Sequence, residues 1–163
     1  MEKVSLFSRA VPAVLFIVAL LIVDQITKIA VDHYLPLQEP VHLLPVLALY
    51  RTYNTGVAFS MFDEMPGYLI VGLRLAIVAF VTWLWLKTPT SRWIAHLGFA
   101  LVIAGAFGNL IDRFLYGHVI DFVLFHIGTS WSFAVFNLAD SFITVGAVLI
   151  GFDEIFGSTE KSQ

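Results

Sequence analysis

The sequence predicts an all-α, polytopic membrane protein, with four transmembrane helices and small β elements in the two longer loops that join them. Three observations lead there. Of 163 residues, 59% are hydrophobic and only 13% charged, against about 25% charged in soluble domains. The apolar residues gather into four windows of roughly 20 residues, the length that crosses a bilayer. The basic residues outside those windows gather on one side. Nine basic and twelve acidic side chains cannot coat the exterior of a soluble domain of this size, so the apolar surplus must face lipid. The net charge of −3 and the lack of a basic tract give no reason to expect a nucleic-acid partner. With no cysteine, disulfides, thiolate chemistry, Cys-based metal sites and cysteine lipidation of this chain are excluded.

The first window, 11–31, follows Lys3 and Arg9 and briefly resembles a cleaved leader. It lacks a small-residue cleavage site and carries Asp24 and Lys28 inside it, so it reads as a retained span. The others cover 67–87, 93–113 and 136–156, and the whole of 1–163 reads as one membrane domain. Residues 32–66 and 114–135 form the longer loops, and 88–92 a tight turn. Lys3, Arg9, Lys87, Arg92 and Lys161 all fall on one side, leaving only Arg51 and the span-end Arg113 on the other. The excess of basic residues marks the cytoplasmic side. Both termini are therefore expected to be cytoplasmic and both longer loops outside.

In the first outer loop, residues 46–53 alternate as a strand does, while Pro36, Pro40 and Pro45 break any helix before them. In the second, 122–127 and 131–135 flank Gly128-Thr129-Ser130 as a hairpin. Such β pieces belong at or above the interface, since an open sheet edge cannot face hydrocarbon.

Among the polar residues in or beside the spans are Asp24, Lys28, Arg74, Asn109, Asp112, Arg113, Asn137 and Asp140. A charge near the centre of a membrane helix costs at least ~2.5–3.5 kcal/mol. Span direction groups all but Arg74 toward the outer face, and Asp24 lies roughly 22 Å beyond Arg9 along its helix. Asp121, in the second outer loop, joins the same layer. Asp24 and Lys28 stand four apart on one helical face and are expected to pair. Asp112 with Arg113 reads as a brace between spans three and four. Ala100, Ala104 and Gly108 form a stripe on span three that permits close packing. Asn137, Asp140, Ser141, Thr144, Ala147 and Gly151 form the facing stripe on span four. Arg74 is expected to snorkel to headgroups, and Trp83, Trp85, Trp93 and Trp131 to anchor at the interfaces. Asn54-Thr55-Gly56 taken alone is a turn.

Two neighbouring carboxylates cannot both ionise easily, so one keeps a proton. The charged one can deprotonate a water while the neutral one donates to a peptide carbonyl. This chemistry needs no metal, thiol or cofactor. Asp121, on a loop that can return over the site, and Asp140, at the start of a span, are the expected pair. Other chemistries fit less well. His118, Asp121 and His126 lack the spacing of a metal site, and a Ser/Lys mechanism would need Ser60 or Ser141 beside Lys28. A proton-coupled transporter would carry acids in a chain across the membrane, and there is no repeat with broken helices in both halves. A structural subunit would not need acids on a loop as well as on the spans.

Five segments together resemble bacterial lipoprotein signal peptidase, or signal peptidase II. They are Asp24-Gln25-Ile26-Thr27-Lys28; Asn54-Thr55-Gly56-Val57-Ala58-Phe59; Gly105-Ala106-Phe107-Gly108-Asn109-Leu110-Ile111-Asp112-Arg113; Val119-Ile120-Asp121-Phe122; and Phe136-Asn137-Leu138-Ala139-Asp140-Ser141. The resemblance implies an aspartyl endopeptidase of the bacterial cytoplasmic (inner) membrane that needs no metal and is inhibited by the cyclic peptide globomycin. It implies prolipoprotein substrates whose cysteine already carries diacylglyceryl, cut on the N-terminal side of that cysteine. Asp121 and Asp140 match the catalytic dyad of the family. Asp24, Lys28, Asn54, Gly56, Gly105, Asn109, Asp112, Arg113, Asn137 and Ala139 match its supporting and substrate-positioning residues. The chain is expected to act as a monomer whose other partner is membrane lipid.

Overall fold

The computed structural model describes residues 6–56, 67–128 and 131–157. Val57-Ala58-Phe59 of the second segment, Ser60, the hairpin-tip residues Thr129 and Ser130, and the basic Lys3 and Lys161 lie outside the described residues. A short 3-10 turn, Leu6–Ser8, precedes four helices: α1 (Ala10–Tyr34), α2 (Gly67–Lys87), α3 (Trp93–Tyr116) and α4 (Leu138–Phe156). They occupy the four apolar windows, with boundaries set by identifiable chemistry. Helix α1 stops at Leu35, which is extended (φ −96, ψ 140) because Pro36 crowds the helical conformation of the residue before it. Gly117 ends α3 in the left-handed region (φ 77), and its N–H donates to the Arg113 carbonyl. At the start of α4, the Asn137 side chain accepts from the Asp140 N–H while the Asp140 carboxylate accepts from the Asn137 N–H, a reciprocal capping box. Asn137 is thus the cap of α4, not its second residue.

By length and composition, three of these helices can cross a membrane: Ala10–Tyr34, Tyr68–Lys87 and Trp93–Tyr116. Helix α4 has 19 residues, with Asp140 in its first turn and Asp153 and Glu154 near its end. Those three acids separate it from the others.

Helix α3 is central and packs against α1, α2 and α4. Its closest neighbour is α4, and glycines permit the approach. A Cβ on Gly98 would stand 2.7 Å from the Gly146 carbonyl oxygen, one on Gly146 would stand 2.6 Å from the Gly98 oxygen, and one on Gly105 would collide with the Ala139 oxygen. The expected stripe on α3 is buried, while that on α4 meets α3 at its start, where Asn137 and Asp140 bond Asn109, and is rotated away farther along. Thr144, Ala147 and Gly151 are exposed, while Ala139, Gly146 and Asp153 are buried and Ile143 and Ile150 meet the α3 glycines. Beyond the first turn, close backbone approach at Gly146 selects the packing face.

The two longer loops meet in one antiparallel sheet of order β1-β2-β3-β4, built from β1 (Val41–Leu44), β2 (Leu47–Asn54), β3 (Val119–Ile127) and β4 (Trp131–Ser132). Strand β1 falls in the proline-broken stretch for which only helix breaking was expected. The decisive pairing is β2 with β3, which sets Thr52 opposite Asp121 and Asn54 opposite Val119, with a register shift between Leu49 and Thr52. It places both loops at one end of the bundle, where α1 and α3 end and α2 and α4 begin.

Candidate active site

At that end the polar residues form one network in three tiers. Lys28, at the bottom, is almost wholly buried, and its Nζ lies 2.9 Å from Asp24 and 2.8 Å from Asp112. It also donates to Asn109 Oδ1 at 3.0 Å. Asp24 accepts the Ala139 N–H at 3.0 Å, tying α1 to the first turn of α4. A Cβ on Gly108 would stand 2.6 Å from that same carboxylate, so the glycine makes room for it. Asp112 accepts from Gln25 Nε2 at 2.8 Å and from the Ile120 N–H at 3.3 Å. The expected brace between spans three and four is therefore corrected. Asp112 faces α1 and strand β3, and Arg113 donates to the carbonyls of Thr55 and Gly56 in the loop after β2.

The middle tier is a pair of amides. Asn137 Nδ2 donates to Asn109 Oδ1 at 3.0 Å and to Asp121 Oδ1 at 2.7 Å. Asn109 Nδ2 donates to Asp140 Oδ1 at 2.7 Å. Because Lys28 and Asn137 both donate to Asn109 Oδ1, the Asn109 NH2 must point at Asp140.

The upper tier holds the two carboxylates. Asp121 projects from β3 and is 2% exposed. It accepts from Asn137, and from Asn54 Nδ2 at 3.0 Å. Burial, then the charge of Asp140, push its pKa up to about 7, against the opposing pull of the Asn54 and Asn137 donors and of Lys28. Asp140 is half-buried and accepts from Asn109 and from the Asn137 N–H. It sits in the first turn of α4, where the positive end of the helix dipole favours negative charge. Two like acids are thereby held in unlike surroundings.

Both carboxylates open into a groove of about 890 Å³ between α2, α3, α4 and the β3–β4 strands. Its walls are mainly apolar, including Ile70, Leu73, Ile77, Val102 and Ile143, with Asn54, Arg74, Asn109 and Ser141 as polar points. Arg74 thus lines the groove that holds Asp121 and Asp140; the expectation that it snorkels to headgroups is corrected. Trp85, part-buried near the end of α2, donates from Nε1 to the buried His96 Nδ1 at 2.6 Å, and its ring stacks on Phe99.

The alternative chemistries find their residues otherwise engaged. Lys28 is an ammonium held by two carboxylates and an amide, and Ser141 Oγ donates to the Asn137 carbonyl. His118 packs on Tyr53, and His126 stands 3.2 Å from His42. Among the described residues no three metal-type ligands cluster. Sequence reasoning missed Gln25, which bridges Asp24, Asp112 and the Gly108 carbonyl. It also missed Asp32, which accepts from Arg51 and Tyr53, and the Arg92–Asp153 pair at 2.6 Å at the far end. Gln25 had a visible signal, lying between two singled-out residues.

The profile of the signal peptidase (SPase) II family matches residues 16–156. The chain belongs to the signal peptidase II family. It is therefore a peptidase by family, and its apolar helices make it a membrane-embedded one. The lipoprotein signal peptidase of Sinorhizobium fredii is 60% identical over 162 residues, covering 99% of this chain and 96% of the relative. That of Allorhizobium ampelinum is 58% identical over 154 residues, 94% of each chain. That of Brucella ovis is 50% identical over 150 residues, 91% of this chain and 93% of the relative. A solved structure described as a bacterial membrane enzyme, obtained by the in meso method at 2.3 Å resolution, superposes with a TM-score of 0.85 at 26% identity. It covers 100% of this chain and 97% of its own.

Proposed function

We propose that this signal peptidase II is an aspartyl endopeptidase acting on diacylglyceryl-modified prolipoproteins, cutting on the N-terminal side of the lipidated cysteine. The observation that carries the reading is the unlike setting of Asp121 and Asp140 on one groove. Asp121 holds the proton and Asp140 the charge. Asp140 removes a proton from a water, whose oxygen attacks the scissile carbonyl carbon while Asp121 donates its proton to the carbonyl oxygen. The tetrahedral species collapses as a proton passes to the leaving amine of the cysteine and the C–N bond breaks. Asn54, Asn109 and Asn137 hold the two carboxyls apart in role. Lys28 with Asp24 and Asp112 anchors Asn109 and the first turn of α4, Arg113 anchors the loop at Gly56, and Gly105 and Ala139 let α3 and α4 approach.

The same reading has α4 as a fourth span, its 12-residue uncharged stretch 141–152 centred in the hydrocarbon and its acids toward the interfaces. Both termini are then cytoplasmic, in the bacterial cytoplasmic membrane, and the groove lies near the outer face. A diacylated substrate presents its scissile bond at that depth. The enzyme works as a monomer without metal or cofactor.

The test is cleavage of a diacylglyceryl-modified prolipoprotein by the purified chain in detergent with EDTA present, read by mass spectrometry. Release of a product that begins at the lipidated cysteine is expected, unaffected by the chelator. Loss of activity on chelation with recovery on zinc, or cleavage at another bond, would defeat the proposal.

A further inference from the structure

Three cations border the site, and two are committed. Lys28 is bound by Asp24, Asp112 and Asn109, and Arg113 by the carbonyls of Thr55 and Gly56. Arg74 differs. It sits on α2, seven residues from the start at Gly67 and so roughly 10 Å along the helix. Its side chain lines the groove, with Ile70, Leu73 and Ile77 as its neighbours along that wall of α2. Among the described residues, no hydrogen bond or ion pair reaches its guanidinium; Asp140, Asp121 and Asp112 act on it only through their charge. The carboxylates closest to the groove are already supplied with donors, Asp121 by Asn54 and Asn137 and Asp140 by Asn109 and Asn137.

An arginine presents five N–H donors and cannot shed its charge to escape an apolar setting. With no partner among the described residues and an otherwise apolar wall around them, those donors face whatever enters the groove. The substrate of the proposed reaction brings acceptors of one kind, neutral carbonyl oxygens. A helical signal segment ends in four carbonyls with no partner of its own, and such groups are not left bare at membrane depth. The ester groups of the diacylglyceryl moiety carry further carbonyls. Nothing else that lines the groove from α2 can donate to either.

We infer that Arg74 is a substrate-binding residue whose guanidinium takes carbonyl oxygens adjacent to the scissile bond. This rests on the proposed peptidase reading. It adds a contact from α2, a part of the groove lining that carries neither aspartate.

The experiment measures kcat and KM for the full chain in detergent, with Arg74→Met, Arg74→Gln and Arg74→Lys. Two lipopeptides serve as substrates, one with the diacylglyceryl ester and one with the matching dialkyl ether, which has no lipid carbonyl. Arg74→Met and Arg74→Gln should each raise KM by roughly 10- to 100-fold, the usual weight of hydrogen bonds from a charged donor. The change in kcat should stay within about threefold, so that the loss is carried by KM. Arg74→Lys should recover part of the loss. An equal penalty on both substrates assigns the peptide carbonyls; a penalty confined to the ester, with the wild type weaker on the ether by the same factor, assigns the lipid carbonyls. A KM within twofold of wild type on both substrates overturns the inference. So does a loss carried by kcat with KM unchanged, which would make Arg74 act on the aspartates and not on the substrate. Asp121→Asn with Arg74 intact separates the two levels: if it still cleaves, the peptidase reading fails whatever Arg74 does.

Discussion

Replacing Asp121 by asparagine should make the protein harder to melt above pH 7, at the same time as it stops cleavage. The carboxyl is 2% exposed, and its pKa is pushed up to about 7 from an ordinary 3.8. That difference corresponds to about 4 kcal/mol. Below pH 3.8 the group is protonated whether the chain is folded or not, and contributes nothing. Between 3.8 and 7 the folded chain keeps a proton that the unfolded chain has lost, so stability falls as pH rises. Above 7 the whole cost of a buried carboxylate is present. Asparagine never carries it. It does surrender one acceptor, because its NH2 must face either Asn54 or Asn137, now 3.0 and 2.7 Å from carboxylate oxygens, and this costs ~1–3 kcal/mol. The variant should therefore melt higher than wild type at pH 8 and lose that advantage, or fall below wild type, at pH 5. Over that interval the relative change is roughly 3 kcal/mol, or about 6–12 °C for a chain of this length. Thermal unfolding in detergent, followed by tryptophan fluorescence at the two pH values, measures it. A melting difference between variant and wild type that stays constant from pH 5 to pH 8 would refute the reasoning.

Activity should carry the same signature: because Asp121 must be protonated to donate, kcat/KM should fall as pH rises through about 7, and a profile flat to pH 9 would contradict the assignment. Lys28→Met should destabilise by ~3–5 kcal/mol, because two buried carboxylates, Asp24 and Asp112, lose their cation. For the same reason, adding Lys28→Met to Asp24→Ala should not restore thermal stability. The double change strands Asp112, and recovery in a melting assay would show that Asp24 alone accounts for the lysine. Reporter fusions at Pro89 and after Gln163 should report the cytoplasmic side and a fusion near Glu39 the outer side; a C-terminal fusion on the outer side would remove α4 as a span.

Much of this arrangement could be read from the sequence, for reasons particular residues make plain. The four helices follow from the apolar windows, whose ends at 31 and 113 and start at 136 miss the boundaries that Pro36, Gly117 and the Asn137/Asp140 cap set. The Asp24–Lys28 pair follows from helical spacing. What the sequence hid is tertiary. Lys28 also pairs with Asp112, because α3 brings that carboxylate alongside α1, and no spacing rule reports which helices are neighbours. The union of the two loops through β2 and β3 is likewise a long-range pairing, and it is what sets Asn54 against Asp121. Arg74 is expected to snorkel to headgroups, yet it lines the groove. In an apolar helix, polarity marks an exceptional residue without saying toward which neighbour it turns. On α4 beyond the first turn, polar residues suggest a packing face that Gly146 in fact supplies.

The most direct test of the two-aspartate account is the turnover of Asp121→Asn and Asp140→Asn on a diacylglyceryl-modified prolipoprotein, with each variant first shown to be folded by its cooperative melting. An amide can neither take a proton from water nor give one to a carbonyl oxygen, so each substitution alone should abolish cleavage. Near-wild-type turnover by either folded variant would contradict the account.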